Sequence, residues 1–350
     1  MNTPNETSSA AKARYIMIGG FLGAGKTTSV ARLAQQLTSQ GRRVGLITND
    51  QRRELVDTAL LRSRGFATEE IPGGCFCCRF NSLGEAAGKL TTASRPDVFI
   101  AEPVGSCTDL VATVTYPLRR MYGDNVVVAP LSVMVDPVRA SRVLALETGA
   151  QFSEKVLYIY RKQLEEADLI VINKCDLLDD TRRVALRGAL AREFPKAGVL
   201  EISARTGEGL EAWFARIAAT DQPGGDAMQV DYEIYADGEA LLGWLNCTVN
   251  LASTSTFDGN KFLRQLAGAL QKQLQTRGAE IAHDLCDGDR FVEARHQNGN
   301  TIPGEPGGIA RADCSHFGLH PHPRAAARGS HLRELSHLPA YHAVSMLASL

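Results

Sequence analysis

The stretch Gly20-Phe21-Leu22-Gly23-Ala24-Gly25-Lys26-Thr27-Thr28 has the spacing of a phosphate-binding loop, Gly-x-x-x-x-Gly-Lys-Thr, between an apolar run and a helical pattern. Its glycines let backbone N–H groups turn inward around phosphates, and the following helix N-terminus adds a favourable dipole. Lys26 is expected to reach the β- and γ-phosphates and Thr27 to ligate Mg²⁺ through its hydroxyl. A second constellation, Asn173-Lys174-x-Asp176, follows another apolar run. The Asp176 carboxylate offers two acceptor oxygens that match the N1–H and N2–H₂ donors of guanine, a pair that adenine lacks. Asn173 would tie the loop together, and the Lys174 stem would lie along the base. Further on, Ser203-Ala204-Arg205 supplies a backbone N–H at Ala204 for guanine O6. In this order the pieces select GTP over ATP.

Magnesium and a hydrolytic water need more carboxylates. Glu102 ends the run Asp97-Val-Phe-Ile-Ala-Glu102, with Gly105 three residues later, and Asp50 ends Gly45-Leu-Ile-Thr-Asn-Asp50. Carboxyl ends of parallel strands face the ligand crevice of an open sheet. Asp50 and Glu102 are therefore read as direct or water-mediated Mg²⁺ contacts and, with Lys26, as the catalytic set. Glu102 and the Gly105 backbone together read as a γ-phosphate sensor. The alternative for Asp50 is a cap on a helix beginning near Arg52.

Three thiols fall within four positions in Pro72-Gly-Gly-Cys75-Phe-Cys77-Cys78-Arg79. Three soft thiolates suit one transition-metal ion, and the two preceding glycines allow a sharp fold that brings them together. Three ligands leave a fourth position open, as a site that releases its metal requires, whereas structural zinc is closed by four. Arg79 would favour the thiolate forms. The competing readings are an inert buried cluster and a redox pair. Cys107, Cys175, Cys247, Cys286 and Cys314 stand singly and read as packing or tail residues.

These groups need elements to aim them. From Tyr15 to about Ala219, short apolar runs alternate with amphipathic segments, the signature of a mostly parallel sheet covered by helices. The expected fold is an α/β phosphate-loop NTPase domain over 15–220, after a loose N-terminal tail at 1–14. A small α+β domain is expected over 228–283, with two strands around the Asp237-Gly238 turn followed by one helix. From 284 to 350 the chain is rich in Arg, Pro, Gly and Ala with little periodicity, and all eight histidines lie at 283 or later. That segment is read as an irregular extension, or as the out-of-frame product of a GC-rich gene. A metal-holding tail is the less favoured reading, because the histidines are scattered.

The 350 residues carry a formal net charge of −1, 44% hydrophobic and 22% charged residues. This balance gives no bulk electrostatic support for a nucleic-acid or anionic-membrane partner. No apolar leader or span is apparent, so a cytoplasmic protein with reduced cysteines is expected.

The runs GGFLGAGKTT, PGGCFCC, EPVG, KQLEEADLIVINKCDL and ISARTGEGL lie in matching order over roughly 15–220. In them the sequence resembles the CobW-type metal-insertion GTPases, relatives of UreG and HypB. The resemblance implies a GTP-gated metallochaperone that loads zinc or cobalt into a client protein, and a nucleotide-dependent homodimer. Two departures leave client and metal open: the second strand ends in Thr-Asn-Asp-Gln rather than an Asn-Glu-Phe-Gly type switch, and Glu102-Pro-Val-Gly105 continues with Ser-Cys. A GTPase chaperone of a corrinoid-dependent enzyme, and a GTP-bound metal buffer or sensor, remain as alternatives.

Overall fold

The structure is a computed structural model and describes residues 12–50, 56–72, 76, 80–149, 152–222, 228–252, 259–276, 309–319 and 342–348. The chain separates into two units. The first comprises Met1–Arg53, Leu61–Glu147 and Ile159–Val230; the second comprises Glu54–Leu60, Thr148–Tyr158 and Asp231–Leu350.

The first unit is built on eight strands: β1 Ala13–Gly20, β2 Val44–Asp50, β3 Ala67–Pro72, β4 Val98–Glu102, β5 Val126–Val128, β6 Ser132–Val135, β7 Leu169–Ile172 and β8 Gly198–Glu201. Their order is β3-β2-β4-β1-β6-β7-β8, with β5 also pairing β1. Every pairing is parallel. Strands β4, β6 and β7 are buried at every position, which explains why they read as unbroken apolar runs rather than alternating ones. The helices up to residue 219 are α1 Lys26–Ser39, α2 Val56–Ser63, α3 Phe80–Ser94, α4 Tyr116–Tyr122, α5 Pro137–Val143, α6 Glu154–Glu165, α7 Asp180–Glu193 and α8 Leu210–Ala219, with α2 and α6 divided between the two units. One turn of π-helix, Val111–Thr115, precedes α4.

The core joins β1, β2, β4 and β7 to α1 and α8. Ile16, Ile18, Leu33, Leu46, Ile100, Val171, Trp213 and Phe214 are all within it. The indole N–H of Trp213 donates to Ser132 Oγ at 3.0 Å, so the one polar atom of this buried side chain is satisfied. The core therefore seats α1 directly on the strands whose carboxyl ends carry Gly20 and Glu102.

The second unit contains α9 Tyr232–Ala240, β9 Gly243–Ala252, α10 Gly259–Thr276, β10 Ile309–Leu319 and β11 His342–Ala348. β9 lies between β10 and β11, antiparallel to both. Two expectations are corrected here. The segment read as the first strand of a hairpin is helix α9, because the Asp231 carboxylate accepts from the N–H groups of Glu233 and Ile234 and starts a helix. Asp237-Gly238 then falls inside its last turn. The small domain also does not end at 283, since the stretches at 309–319 and 342–348 supply both neighbours of β9. Among the described residues, no helix is long and apolar enough to cross a membrane.

Candidate functional site

The phosphate loop leaves β1 at Gly20, which has φ 128°. A Cβ there would stand 2.3 Å from the Met134 carbonyl oxygen, so β6 leaves room only for glycine. Gly23 and Gly25 also have positive φ, 75° and 88°, and close a turn that other residues resist. α1 then begins at Lys26 with no side-chain cap and no acidic residue in its first turn, unlike α5 and α7, which Asp136 and Asp179 cap. Lys26 is buried and folds back, its ammonium 3.4 Å from the Phe21 carbonyl oxygen. Arg139 of α5 donates to the Leu22 carbonyl at 2.5 Å, and its guanidinium lies 5.6 Å from the centre of the Phe21 ring. The loop is thus held open at its tip by a residue more than a hundred positions away.

Thr27 and Glu102 meet at the carboxyl end of the sheet. The threonine hydroxyl donates to Glu102 Oε1 at 2.7 Å, and both residues are buried. Glu102 is registered against Thr48 of β2. A hydroxyl and a carboxylate oxygen at this separation are hard donors of the kind Mg²⁺ takes, so the residues present fit that ion. Gly105 lies against the phosphate loop: a Cβ on it would be 2.7 Å from Leu22 Cδ2 and 3.0 Å from the Leu22 nitrogen. Asp50 is the last residue of β2, registered against Pro72 of β3. It stands at a strand end, as expected, while the described part of α2 starts only at Val56. Its neighbour Asn49 donates to the Ile71 carbonyl at 2.9 Å and ties the ends of β2 and β3 together.

The base-recognition side is one connected piece. Asn173 Nδ2 donates to the Ala24 carbonyl at 2.8 Å, and Asn173 Oδ1 accepts the Ala204 N–H at 3.0 Å. One side chain thereby links the phosphate loop to the Ser203–Arg205 loop. The Ala204 N–H, expected to face guanine O6, is turned here to Asn173 and seats its own loop. Arg32 of α1 fixes the same loop from the other side, donating to the carbonyls of Ala204 and Arg205 at 3.0 Å each. Lys174 has φ 57°, and its ammonium lies 3.0 Å from Asp136 Oδ2. Burial raises the pKa of Asp136, but the adjacent Lys174 and Arg139 charges outweigh it and keep the carboxyl below its ordinary range. Asp176 behaves alike: burial opposes its charge, yet hydrogen bonds from Ser203 and Arg205 lower its pKa. Its carboxylate is ion-paired to Arg205 and stays an acceptor, as guanine recognition requires.

Sequence reasoning missed Arg32, Asp136 and Arg139. A signal existed for Asp136, which stands just before Pro137 at a helix start. Cys75, Cys77 and Cys78, with Gly73, Gly74 and Arg79, lie outside the described residues. Phe76 among them is fully buried. The described residues contain no group of three or more His, Cys, Asp or Glu able to hold a metal. Cys107 and Cys175 are buried and stand outside any disulfide, and burial pushes the Cys175 thiol up to about 11, which suits packing rather than ligation.

A phosphate loop between a central strand and its helix, a carboxylate on the neighbouring strand and an Asn-Lys-x-Asp exit from β7 define a phosphate-loop nucleotide-binding domain. The family model described as the CobW/HypB/UreG nucleotide-binding domain matches residues 14–199, more than half of the chain, and the chain belongs to that family. It is similar to a protein of Sinorhizobium sp named zinc chaperone CobW, 32% identical over 213 residues, covering 55% of this chain and 59% of that protein. It is also similar to a protein of Escherichia coli strain K12 named zinc chaperone YeiR, 34% identical over 167 residues, 47% of each. The chain spans about half the length of the curated relatives it matches. Among solved structures, HypB from Helicobacter pylori in complex with nickel aligns at 16% identity and a TM-score of 0.44, covering 62% of this chain and 92% of that one.

Proposed function

We propose that this protein binds and slowly hydrolyses GTP with Mg²⁺ and uses that cycle to deliver a transition metal, of the zinc or cobalt class, to a client metalloenzyme. The observation that carries the reading is the Asn173 bridge from Ala24 to Ala204, which builds the phosphate and base ends of the site as one unit. Family membership and the names of the two curated relatives support the metal-delivery half.

In this reading Gly20, Gly23, Ala24, Gly25 and Thr28 cradle the phosphates, and Lys26 swings from the Phe21 carbonyl to the phosphate oxygens. Asp176 selects guanine, with Lys174 along the base and Ser203 and Ala204 behind it. Thr27, Glu102 and Asp50 hold Mg²⁺, which neutralises charge on the β- and γ-phosphate oxygens when bound. Glu102 and Gly105 report on the γ-phosphate. Cys75, Cys77 and Cys78 take the cargo ion as thiolates, so loading releases protons. A nucleotide-dependent homodimer and a cytoplasmic setting complete the proposal.

The test is elemental analysis of the full chain, purified without chelator, together with GTP turnover. We expect about one thiophilic ion per chain and phosphate release with GTP and not with ATP. Turnover without any bound or bindable Zn²⁺ or Co²⁺ would remove the metallochaperone half. Equal turnover of ATP would remove the guanine assignment.

A further inference from the structure

The loop that follows Glu102 is clamped by a side chain that the nucleotide reading leaves without a role. Gln163, near the end of α6, is 2% exposed. Its amide nitrogen donates to the Gly105 carbonyl at 2.9 Å and to the Cys107 carbonyl at 2.8 Å. The turn it holds is itself closed, since the Cys107 N–H donates to the Val104 carbonyl at 2.9 Å. Three residues on, Glu166 accepts the Val111 N–H at 3.3 Å, fixing the far end of the same segment. The near end is fixed by Glu102, which accepts from Thr27. Between these anchors Gly105 presses on Leu22 at the tip of the phosphate loop.

We propose that Gln163 is the positioning residue of the γ-phosphate response, holding the Gly105 turn against Leu22 so that the third phosphate is sensed. The proposal rests on the GTP reading above. Both N–H groups of one amide are committed to two carbonyls of one short turn, so the turn shifts as a body or not at all. The amide dipole also draws the Gly105 carbonyl towards α6. α6 runs into β7, whose exit carries Asn173 and Asp176. Gln163 thereby ties the γ-phosphate element to the base-recognising strand, and GDP, which lacks the third phosphate, has no use for the tie. A residue that only held the fold would affect both nucleotides alike.

The test is Gln163→Met in the full chain, which keeps side-chain volume and removes both donors, read by calorimetric titration with GDP and with a non-hydrolysable GTP analogue. We expect analogue affinity to fall roughly 5- to 20-fold, with GDP affinity changed by less than about twofold. Equal losses for both nucleotides, or no loss for either, would overturn the positioning role. If the variant does not fold, amide hydrogen exchange of wild-type residues 104–111 replaces it: more protection with the analogue than with GDP is expected, and equal protection overturns the proposal. If wild-type protein binds no analogue, the GTP reading itself fails, and this is seen before any variant is used.

Discussion

Asn173 divides one amide between two loops, and Glu166 buries one carboxyl beneath a third. Their partners lie 149, 31 and 55 positions away in the chain. An ordinary glutamate titrates near 4.5, but burial pushes Glu166 up to about 8, against hydrogen bonds from Val111, Leu110 and Thr108 and with added repulsion from Asp109. The unfolded chain releases this proton near the ordinary value and the folded chain keeps it until about 8, so the folded state binds more protons in between. Its stabilising share is complete below the ordinary value and is lost as pH rises through the folded one. Glu166→Gln keeps the shape and removes the titration. Urea unfolding at several pH values should show a flatter profile for this variant, with a gain on the order of 2–4 kcal/mol near the alkaline end. Parallel profiles for the two proteins would show that Glu166 titrates normally. Glu166 left no signal in the sequence, whereas Gly20, Lys26, Thr27, Asn173 and Asp176 stand at spacings that could be read. The latter act within a local turn whose spacing is itself the signal. Arg32, Arg139 and Gln163 act on backbone carbonyls 172, 117 and 58 positions distant, and no spacing rule records that.

Elements follow the same division. β4, β6 and β7 were readable because strands buried on both faces must be apolar throughout. β3 was not: it reads Ala-Thr-Glu-Glu-Ile-Pro and, among the described residues, pairs only with β2, at an edge where charge is tolerated. β5 is only three residues long. α9 was misread because Asp237-Gly238 suggests a turn more strongly than Asp231 suggests a cap, and the cap prevailed. The phosphate loop makes the sharpest element-level demand. Gly20 combines φ 128° with a would-be Cβ 2.3 Å from a backbone oxygen of β6, and neither atom can move without parting β1 from β6. Gly20→Ala should therefore cost about 3 kcal/mol or more. The loss should appear as a lowered thermal midpoint even without nucleotide. A variant melting with wild type would mean that the loop leaves β1 by another path.

At the scale of the whole molecule, the two units carry different burdens. Every described residue assigned to nucleotide binding falls in the first unit, as does the core cluster that seats α1 on the sheet. Asn173, Arg32 and Arg139 make their loop-holding bonds wholly inside it. The second unit rests on β9, whose neighbours β10 and β11 both come from the stretch first read as an irregular extension. Truncation after Ala282 removes both of them and leaves β9 with two bare edges. Nucleotide binding should survive, because the described bonds that hold the phosphate and Ser203–Arg205 loops lie inside the first unit. The second unit should not survive intact, because an unpaired strand exposes backbone donors and acceptors that recruit other chains. We expect GDP affinity within about threefold of the full chain, with faster proteolysis confined to residues beyond 230 and a greater tendency to self-associate. Loss of GDP binding in a truncated protein that still shows the helical signal of the first unit would mean that the second unit completes the nucleotide site. Unchanged proteolysis would mean that β10 and β11 do not hold β9.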